Sequence, residues 1–473
     1  MIYYKGRKGG DAVVFSSLIF IFLYLTVTLV LYYLSPRKWR NFILFAMSLI
    51  FYGWGEPKFI LLMVLSICSA YGFGFAIEKN RGTNPTKAKL WLSLSLIVSL
   101  SSLLFFKYYN FFASQVGLGV IRNLTLPVGI SFYTFQIMSY SIDLYRGDVS
   151  LERSLISFGT YVTLFPQLIA GPIVRYQDVS DRLRQRKETL SDFSDGVQRF
   201  VIGLSKKLIL GDAAAAAAKM LETAGEFSPT VIGTWLIMLF YSLHIYFDFS
   251  GYSDMAIGLG KMFGFRFPEN FNYPYTANSI TDFWRRWHIT LSTWFKEYVY
   301  IPLGGNRKGK YRTLLNMAVV WFLTGFWHGA DWNYLLWGVY FWIFLLAEKL
   351  FLLKPLGKHP ILSRVYAMLV IGFGWMIFFH SDLGQLLHLG KHLIGLGADF
   401  ASPTLWYDLW RLLPFALICA VACTPYPKIA LDSLCRRVPA LRILRPVGTA
   451  ILLLLSVAYM VDSSFSPFLY YIF

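Results

Sequence analysis

The chain has 473 residues, of which 56% are hydrophobic and only 15% are charged, and its mean hydropathy is +0.51. An ordinary soluble domain has about 25% charged residues, and no soluble fold could hide so much apolar surface from water. The composition therefore excludes a soluble protein and predicts a polytopic integral membrane protein. The net charge is +18, but the basic residues lie in short loops between apolar runs, which favours membrane topology and anionic lipid over nucleic acid.

Apolar runs predict an all-α fold, because a transmembrane helix needs about 20 mainly apolar residues. Several runs are shorter than that, so we expect about 11 true spans, with some helices tilted, re-entrant or buried in protein. The first run is too long for a signal-peptide core and is expected to stay in the mature protein. The candidate runs are 13–34, 42–54, 59–77, 90–106, 126–145, 155–172, 230–249, 313–329, 333–353, 365–380, 406–423 and 447–462.

Basic residues in the first loops indicate the orientation. Clusters at 36–40 and 79–89 fall on one side of the membrane if the N-terminus is outside the cytoplasm, whereas Lys5, Arg7 and Lys8 argue the other way. Because two loops agree, we predict an extracytoplasmic N-terminus.

The middle of the chain is more polar. Asp212 is a candidate N-cap for a short helix through Ala213–Ala218. The stretch 251–312 mixes aromatic and charged residues and is too polar to cross lipid as a simple helix, so it predicts interfacial or re-entrant helices. Cys68, Cys419 and Cys423 lie in apolar runs and are interpreted as buried thiols rather than disulfide partners.

His328 is the first candidate catalytic residue. It ends an apolar run, where an ionisable group usually faces a cavity or a partner. Gly325 and Gly329 flank it, which allows close backbone approach and would leave room for a substrate. A neutral imidazole in a dry site can take a proton from a hydroxyl group. The alternative is a structural histidine bonded to a carbonyl.

His288 is the second candidate. Helical spacing places Trp284, His288 and Leu291 on one face and turns Arg285 and Arg286 away from it. This pattern suits an interfacial helix whose arginines reach phosphate groups. A lipid-surface helix with an incidental histidine fits equally well.

His244 and Asp248 are four residues apart, so Asp248 is a candidate for orienting the imidazole. The alternative, which we favour, is that Asp248 and Asp254 have a structural role and brace helix breaks. The segment Gly304–Lys310 is glycine-rich and basic, and predicts either a phosphate site or a cytoplasmic turn.

Several segments resemble the membrane-bound O-acyltransferase family in the family's order. They are LPVGISFYTFQ at 126–136, LFPQLIAGPIVRY at 164–176, YFDFSGYSDMAIG at 246–258, PENFNYPY at 268–275, DFWRRWHITLSTWFKEYVYIPLGGNRK at 282–308 and FWHGADW at 326–332. Within that family, the chain looks most like the bacterial subgroup that acetylates exopolysaccharides such as alginate. The resemblance extends through most of the first 345 residues, with a motif-bearing core at about 126–345.

The resemblance implies one transmembrane domain over 1–473, with a ring of tilted helices around a central funnel. It implies that His328 matches the catalytic histidine and His288 the second histidine of the bacterial motif. The residues predicted to bind substrate are Trp327, Asp331, Trp284, Arg285, Arg286, Asp248 and Asp254.

The implied reaction moves an acetyl group from a cytoplasmic thioester, acetyl-CoA, through the cell membrane. No metal or bound cofactor is expected, and a separate extracytoplasmic SGNH-type acetyltransferase would complete the transfer. The alternatives are D-alanyl transfer to teichoic acid, peptidoglycan O-acetylation, and a transporter without chemistry.

Overall fold

A computed structural model describes residues 14–223 and 230–462, and all regular structure in those ranges is helical. The helices are α1 (Thr26–Leu34, continuing the π-helix Ile19–Leu25), α2 (Arg40–Gly55), α3 (Ile60–Arg81), α4 (Pro85–Gln115), α5 (Ile130–Arg146), α6 (Leu155–Thr163), α7 (Phe165–Leu168), α8 (Tyr176–Arg184), α9 (Leu190–Ser205), α10 (Ala213–Thr223), α11 (Val231–Met262), α12 (Ile280–Arg286), α13 (Ile289–Phe295), α14 (Lys310–His328), α15 (Trp332–Ala347), α16 (Leu353–Leu356), α17 (Pro360–Phe379), α18 (Leu383–Leu393), α19 (Pro403–Ala422), α20 (Tyr426–Arg437) and α21 (Leu444–Asp462). Further π-helical segments are Lys206–Asp212, Lys296–Tyr300 and Glu348–Leu352.

Within those ranges, 7 helices are long and apolar enough to cross a membrane, which confirms a multi-pass fold. They are Pro57–Arg81, Pro85–Gln115, Val231–Met262, Trp332–Leu356, Pro360–Phe379, Pro403–Ala422 and Pro439–Asp462. The predicted count of about 11 is higher, because the remaining apolar runs form helices that are shorter, broken or less apolar. The run 155–172, for example, is interrupted between α6 and α7.

Two expectations about the chain are wrong. The first twelve residues of 251–312 belong to the long helix α11, so the irregular region begins only after Met262. Cys68 is exposed on α3, whereas Cys419 and Cys423 are buried as expected. Lys5, Arg7 and Lys8 lie outside the described residues.

The chain divides into two compact units, which are described separately. Among the described residues, unit 1 comprises 14–204, 252–269 and 457–462, and unit 2 comprises 205–223, 230–251 and 270–456. The division leaves open whether each unit folds alone, so a single transmembrane domain over 1–473 stays a prediction.

Unit 1 has an aromatic core and a buried polar clamp. Tyr24 packs against Phe51 and Phe165 with ring centroids 5.4 and 5.3 Å apart. Elsewhere in the unit, the Glu188 carboxylate accepts a hydrogen bond from the Tyr32 hydroxyl and pairs with Arg40 at 2.6 Å. Burial opposes ionisation of Glu188, but these partners outweigh it and lower the pKa of the carboxyl group.

Unit 1 also contains a close crossing between α9 and α11. A Cβ atom added at Gly258 would lie 2.6 Å from the backbone nitrogen of Phe200 and 2.6 Å from the carbonyl oxygen of Gly196. Because backbone atoms cannot swing aside as a side-chain tip can, this crossing requires glycine.

We predict that Gly258→Ala destabilises the protein by about 1–3 kcal/mol, the usual cost of overpacking. Gly72→Ala on α3 is the matched control, because a Cβ there meets nothing within 4 Å. Thermal unfolding followed by size-exclusion fluorescence in detergent should show a lower midpoint for Gly258→Ala only. Equal midpoints for the two variants would contradict the close crossing.

Candidate active site

His288 lies at a break between two short helices. Its φ of +45° is left-handed, so α12 ends at Arg286 and α13 begins at Ile289. The predicted single helix carrying Trp284, His288 and Leu291 on one face is therefore wrong. A left-handed non-glycine residue costs about 1–3 kcal/mol and persists only when its surroundings hold it.

The start of α12 is fixed by a buried carboxylate. Glu348, which is 1% exposed, accepts hydrogen bonds from the backbone N–H groups of Ile280 and Thr281 at 2.6 and 2.8 Å. The Ser279 hydroxyl oxygen accepts from the Asp282 N–H at 2.9 Å. An anion at a helix N-terminus satisfies otherwise unpaired donors and complements the helix dipole.

The His288 imidazole is buried among neutral groups. Its Nδ1 lies 3.1 Å from Oδ1 of Asn270, and the Phe249 ring stands edge-on to it at 4.8 Å. Burial lowers the pKa of His288 to about 3, because a charged imidazolium is poorly solvated there. The imidazole is therefore neutral at physiological pH.

His328 is the last residue of α14 and is enclosed by aromatic rings. The ring centroids of Trp327 and Trp337 lie 5.0 Å from the imidazole centroid, and that of Phe378 lies at 5.2 Å. We call these three rings the aromatic enclosure. His328 as a whole is 5% exposed, so the enclosure restricts access of bulk water to it.

Trp327 links the two histidines. Its ring lies 5.0 Å from the His328 ring and 6.1 Å from the His288 ring. Two histidines 40 residues apart in sequence thus contact the same indole, and both belong to unit 2.

The glycines near His328 bring α14 and α15 together. A Cβ at Gly325 would lie 2.4 Å from the Tyr334 carbonyl oxygen, and one at Gly338 would lie 2.5 Å from the Trp321 carbonyl oxygen. A Cβ at Gly329 would lie 2.2 Å from the Tyr334 ring. Close backbone approach is confirmed, but the expected room for substrate beside Gly325 and Gly329 is wrong, because α15 and Tyr334 fill it.

Trp284, Arg285 and Arg286 occupy three different settings on α12. Trp284 packs into an aromatic cluster, with Trp321 at 4.8 Å and Phe341 at 4.9 Å between centroids. Arg286 pairs with Asp282 at 3.0 Å, whereas Arg285 is exposed. Arg285 is thus the more accessible of the two for an anionic ligand.

Asp248 lies in a buried charge cluster rather than beside the His244 imidazole nitrogen. Lys207, which is 2% exposed, lies 2.6 Å from Asp212 and 3.8 Å from Asp248. His244 Nδ1 lies 3.0 Å from the Gly211 carbonyl oxygen. The expectation that Asp248 orients this nitrogen is wrong.

Asp212 is not an N-cap either. It ends a π-helical segment that continues into α10, and its carboxylate accepts two hydrogen bonds from Lys207. Burial raises the pKa of Asp212, and Lys207 opposes that rise.

The two remaining predicted ligands have structural partners. Asp331 is the N-cap of α15 and accepts from the Trp332 N–H at 2.7 Å. Asp254, in unit 1, pairs with Arg199 at 2.6 Å, and Arg199 also pairs with Glu269 at 2.6 Å. The Asp254 contact agrees with the bracing role predicted for that residue, and substrate binding by any of the seven residues stays a prediction.

The segment Gly304–Lys310 is a turn whose residues 306–310 are exposed and whose Gly305 is buried, with left-handed φ angles at Gly304, Gly305 and Gly309. The Asn316 amide donates to the Gly305 carbonyl at 3.0 Å, which fixes the turn on α14.

Sequence reasoning missed Asn270, Glu348 and Lys207. The position of Glu348 in the sequence could have identified it, since an acidic residue at the end of a long apolar run must have a partner. Asn270 lies inside a quoted motif, but only the fold shows that it contacts His288.

Comparison with known proteins identifies the family. A family model described as membrane-bound O-acyltransferase matches residues 90–354, more than half of the chain. The chain belongs to the membrane-bound O-acyltransferase family. It is therefore an O-acyltransferase and a multi-pass membrane protein.

Curated relatives carry three different names. "Probable alginate O-acetylase AlgI" of Azotobacter vinelandii is 42% identical over 381 residues, covering 78% of this chain and 76% of the relative. "Peptidoglycan O-acetyltransferase" of Helicobacter pylori is 34% identical, covering 81% and 80%. "Teichoic acid D-alanyltransferase" of Bacillus subtilis is 31% identical, covering 54% and 67%.

Lys207→Met should destabilise this O-acyltransferase strongly, because removing one partner of a buried ion pair costs about 3–5 kcal/mol. The double variant Lys207→Met/Asp212→Asn should recover part of the loss, since it also removes a stranded carboxylate. Thermal unfolding of the two variants and of Asp212→Asn alone measures the coupling. Additive losses would mean that Lys207 and Asp212 do not stabilise each other.

Proposed function

We propose that this protein transfers an acetyl group from acetyl-CoA, on the cytoplasmic side of the cell membrane, for O-acetylation of an extracellular polysaccharide such as alginate. The name and coverage of the alginate O-acetylase relatives support this choice of cargo and acceptor. An extracytoplasmic N-terminus and a separate SGNH-type acetyltransferase partner are parts of the same proposal.

The observation that carries the proposal is His328 in its aromatic enclosure, with His288 against the same Trp327 ring. The reaction joins an acceptor hydroxyl oxygen to the acetyl carbonyl carbon and breaks the carbon–sulfur bond of the thioester. A neutral imidazole takes the hydroxyl proton as the carbon–oxygen bond forms, and the proton then goes to the departing thiolate. One alcohol and one thioester thus give one ester and one thiol.

Exclusion of water serves this chemistry in two ways. Acetyl thioesters hydrolyse if water reaches the activating base, and the three rings around His328 restrict that access. Electrostatic stabilisation of the developing oxyanion is also stronger where water is absent. His328 is the proposed base, and His288, which lies against the same Trp327 ring, assists it.

A passage through the membrane explains why an enzyme of this kind has to be embedded in lipid. CoA is large and carries several negative charges, whereas an acetyl group is small and neutral. We propose that exposed Arg285 binds phosphate groups of the donor, which leaves CoA on its own side while the acetyl group moves on.

Peptidoglycan O-acetylation and D-alanyl transfer to teichoic acid are the second candidates. The relatives bearing those names match at lower identity, and the teichoic acid relative covers only 54% of this chain. A transporter without chemistry would not need a buried imidazole held in a neutral aromatic site. The same labelled-donor assay, run with acetyl-CoA and with a D-alanyl carrier-protein thioester, separates the cargoes.

We predict that His328→Ala abolishes acetyl transfer from labelled acetyl-CoA by the purified protein, with a loss of about 10²-fold or more. His359→Ala is the matched control, because His359 is exposed and lies at the start of α17. The partner protein is added to both samples, so that a missing acceptor does not mimic a dead enzyme.

A well-folded His328→Ala protein that retains normal transfer would contradict the catalytic role. Because the substitution leaves a gap in the aromatic enclosure, His328→Gln should be measured as well. A loss of transfer in both variants at an unchanged unfolding temperature separates chemistry from packing.

Arg285→Gln should raise the KM for acetyl-CoA by about 10-fold, near the lower end of the roughly 1.5–3 kcal/mol of a hydrogen bond to a charged group because the side chain is exposed, and leave the unfolding temperature unchanged. Arg286→Gln should lower stability slightly, since it loses the Asp282 pair. Steady-state kinetics and thermal unfolding of both variants distinguish the roles. An unchanged KM in Arg285→Gln would remove this residue from the donor site.

A further inference from the structure

Asn270 makes an unusual set of contacts with the residues around the helix break. Its side-chain Oδ1 lies 3.1 Å from His288 Nδ1, accepts from the Thr290 backbone N–H at 3.2 Å and accepts from the Thr290 hydroxyl at 2.8 Å. A backbone N–H can only donate, so the atom facing it is the amide oxygen and not the amide nitrogen. The Thr290 N–H therefore identifies the facing atom of Asn270 as Oδ1.

This oxygen decides which nitrogen of His288 carries the proton. A neutral imidazole has one N–H and one lone pair, and an amide oxygen can only accept. His288 Nδ1 must then be the donor, which leaves the lone pair on Nε2. We infer that Asn270 is a positioning residue that holds His288 as the Nδ1–H tautomer, so that Nε2 is the proton-accepting atom of this histidine in acyl transfer.

The backbone around Asn270 prevents the two side chains from separating. The Ile289 N–H donates to the Asn270 carbonyl oxygen at 3.0 Å, and the Asn272 N–H donates to the Arg286 carbonyl oxygen at 2.9 Å. These two bonds tie the segment before α12 to both sides of the break. The left-handed φ of His288 lies between these two bonds, and the imidazole Nδ1 of this residue contacts the Asn270 side chain.

The surroundings of His288 keep it neutral, so Asn270 affects the tautomer of the imidazole rather than its charge. Asn270, Phe249 from α11 and Trp327 from α14 contact His288, and these three residues carry no charge. Burial also lowers the pKa of the imidazole. Because the ring stays neutral, its usefulness depends on which nitrogen has the lone pair.

The tautomer of His288 determines whether Nε2 can accept a proton. With the lone pair on Nε2, His288 can accept a hydrogen bond or a proton from a hydroxyl group that reaches that side of the ring. In the other tautomer, Nε2 would carry the proton. Nε2–H and the hydroxyl group would then both be donors, and Nε2 could not accept the hydroxyl proton. The role of Asn270 in turnover rests on the proposed acyltransferase function, whereas its effect on the tautomer does not.

The test is the ¹⁵N spectrum of purified protein labelled at histidine, which reports protonation of each ring nitrogen without any turnover. The His288 signals are identified by their loss in His288→Asn, a substitution that tolerates left-handed backbone. The wild type should show a protonated Nδ1 and an unprotonated Nε2 at neutral pH. Asn270→Ala should populate the Nε2–H tautomer, and Asn270→Asp should keep Nδ1–H, because a carboxylate accepts in the same place.

Turnover of acetyl-CoA is measured beside the spectra. Asn270→Ala should lower kcat by about 10²-fold with little change in KM, and Asn270→Asp should restore most of the loss near neutral pH or above. Asn272→Ala is the matched control, since its exposed side chain lies two residues away. If Asn270→Ala fails to fold, Asn270→Asp and the wild-type spectrum still decide the tautomer.

An Nε2–H signal for His288 in the wild type would overturn the inference whatever the kinetics show. So would an Asn270→Ala protein with a changed tautomer and an unchanged kcat. Absence of acetyl-CoA turnover in the wild type would count against the proposed donor alone, because the spectra remain readable in an inactive sample.

Discussion

The interrupted backbone at Trp287–His288 is the constraint on which the rest of unit 2 depends. Two helix ends meet there in an interior where an unsatisfied backbone group costs about 1–3 kcal/mol. The Asn270 carbonyl oxygen accepts from Ile289, the Asn272 N–H donates to Arg286, and the Glu348 carboxylate receives the first N–H groups of α12. Once these partners are placed, the position of the His288 imidazole is fixed, and the Phe249 and Trp327 rings pack against it.

The second half of the site depends on the close crossing of α14 and α15. Gly325 and Gly338 let the backbones meet, and this contact carries Trp337 from α15 to within 5.0 Å of His328 on α14. The Asn333 amide donates to the Phe378 carbonyl oxygen at 2.8 Å, which ties α15 to α17 and brings in the third ring of the enclosure. The glycines therefore serve the site by removing space, not by leaving it empty.

The sequence was sufficient for the membrane class, the all-helical fold and the family, because apolar runs and motif order are local features. It could not place the helix break at His288, since helical periodicity continues through a residue that only tertiary contacts force into a left-handed conformation. The pairing of Asp248 with Lys207 was also out of reach, because 41 residues separate them and the i, i+4 spacing pointed to His244 instead. Periodicity identifies which residues share a face, whereas the partner of a buried charge depends on the packing of distant segments.

Unit 2 buries ionisable groups in two different ways, and the difference bears on which of them can do chemistry. Lys207 is balanced by Asp212 and Asp248, so a proton added to or removed from that cluster would leave a charge that has lost its partner. His288 is instead kept neutral by burial, and the partner of its Nδ1 is the uncharged amide of Asn270. Gly211 allows the π-helical segment to approach α11 so closely that a Cβ there would lie 3.0 Å from the Asp248 nitrogen. The next residue is Phe249, whose ring packs on His288. The charged cluster thus stabilises the helix that shapes the site, and it is separate from the buried neutral imidazole of His288.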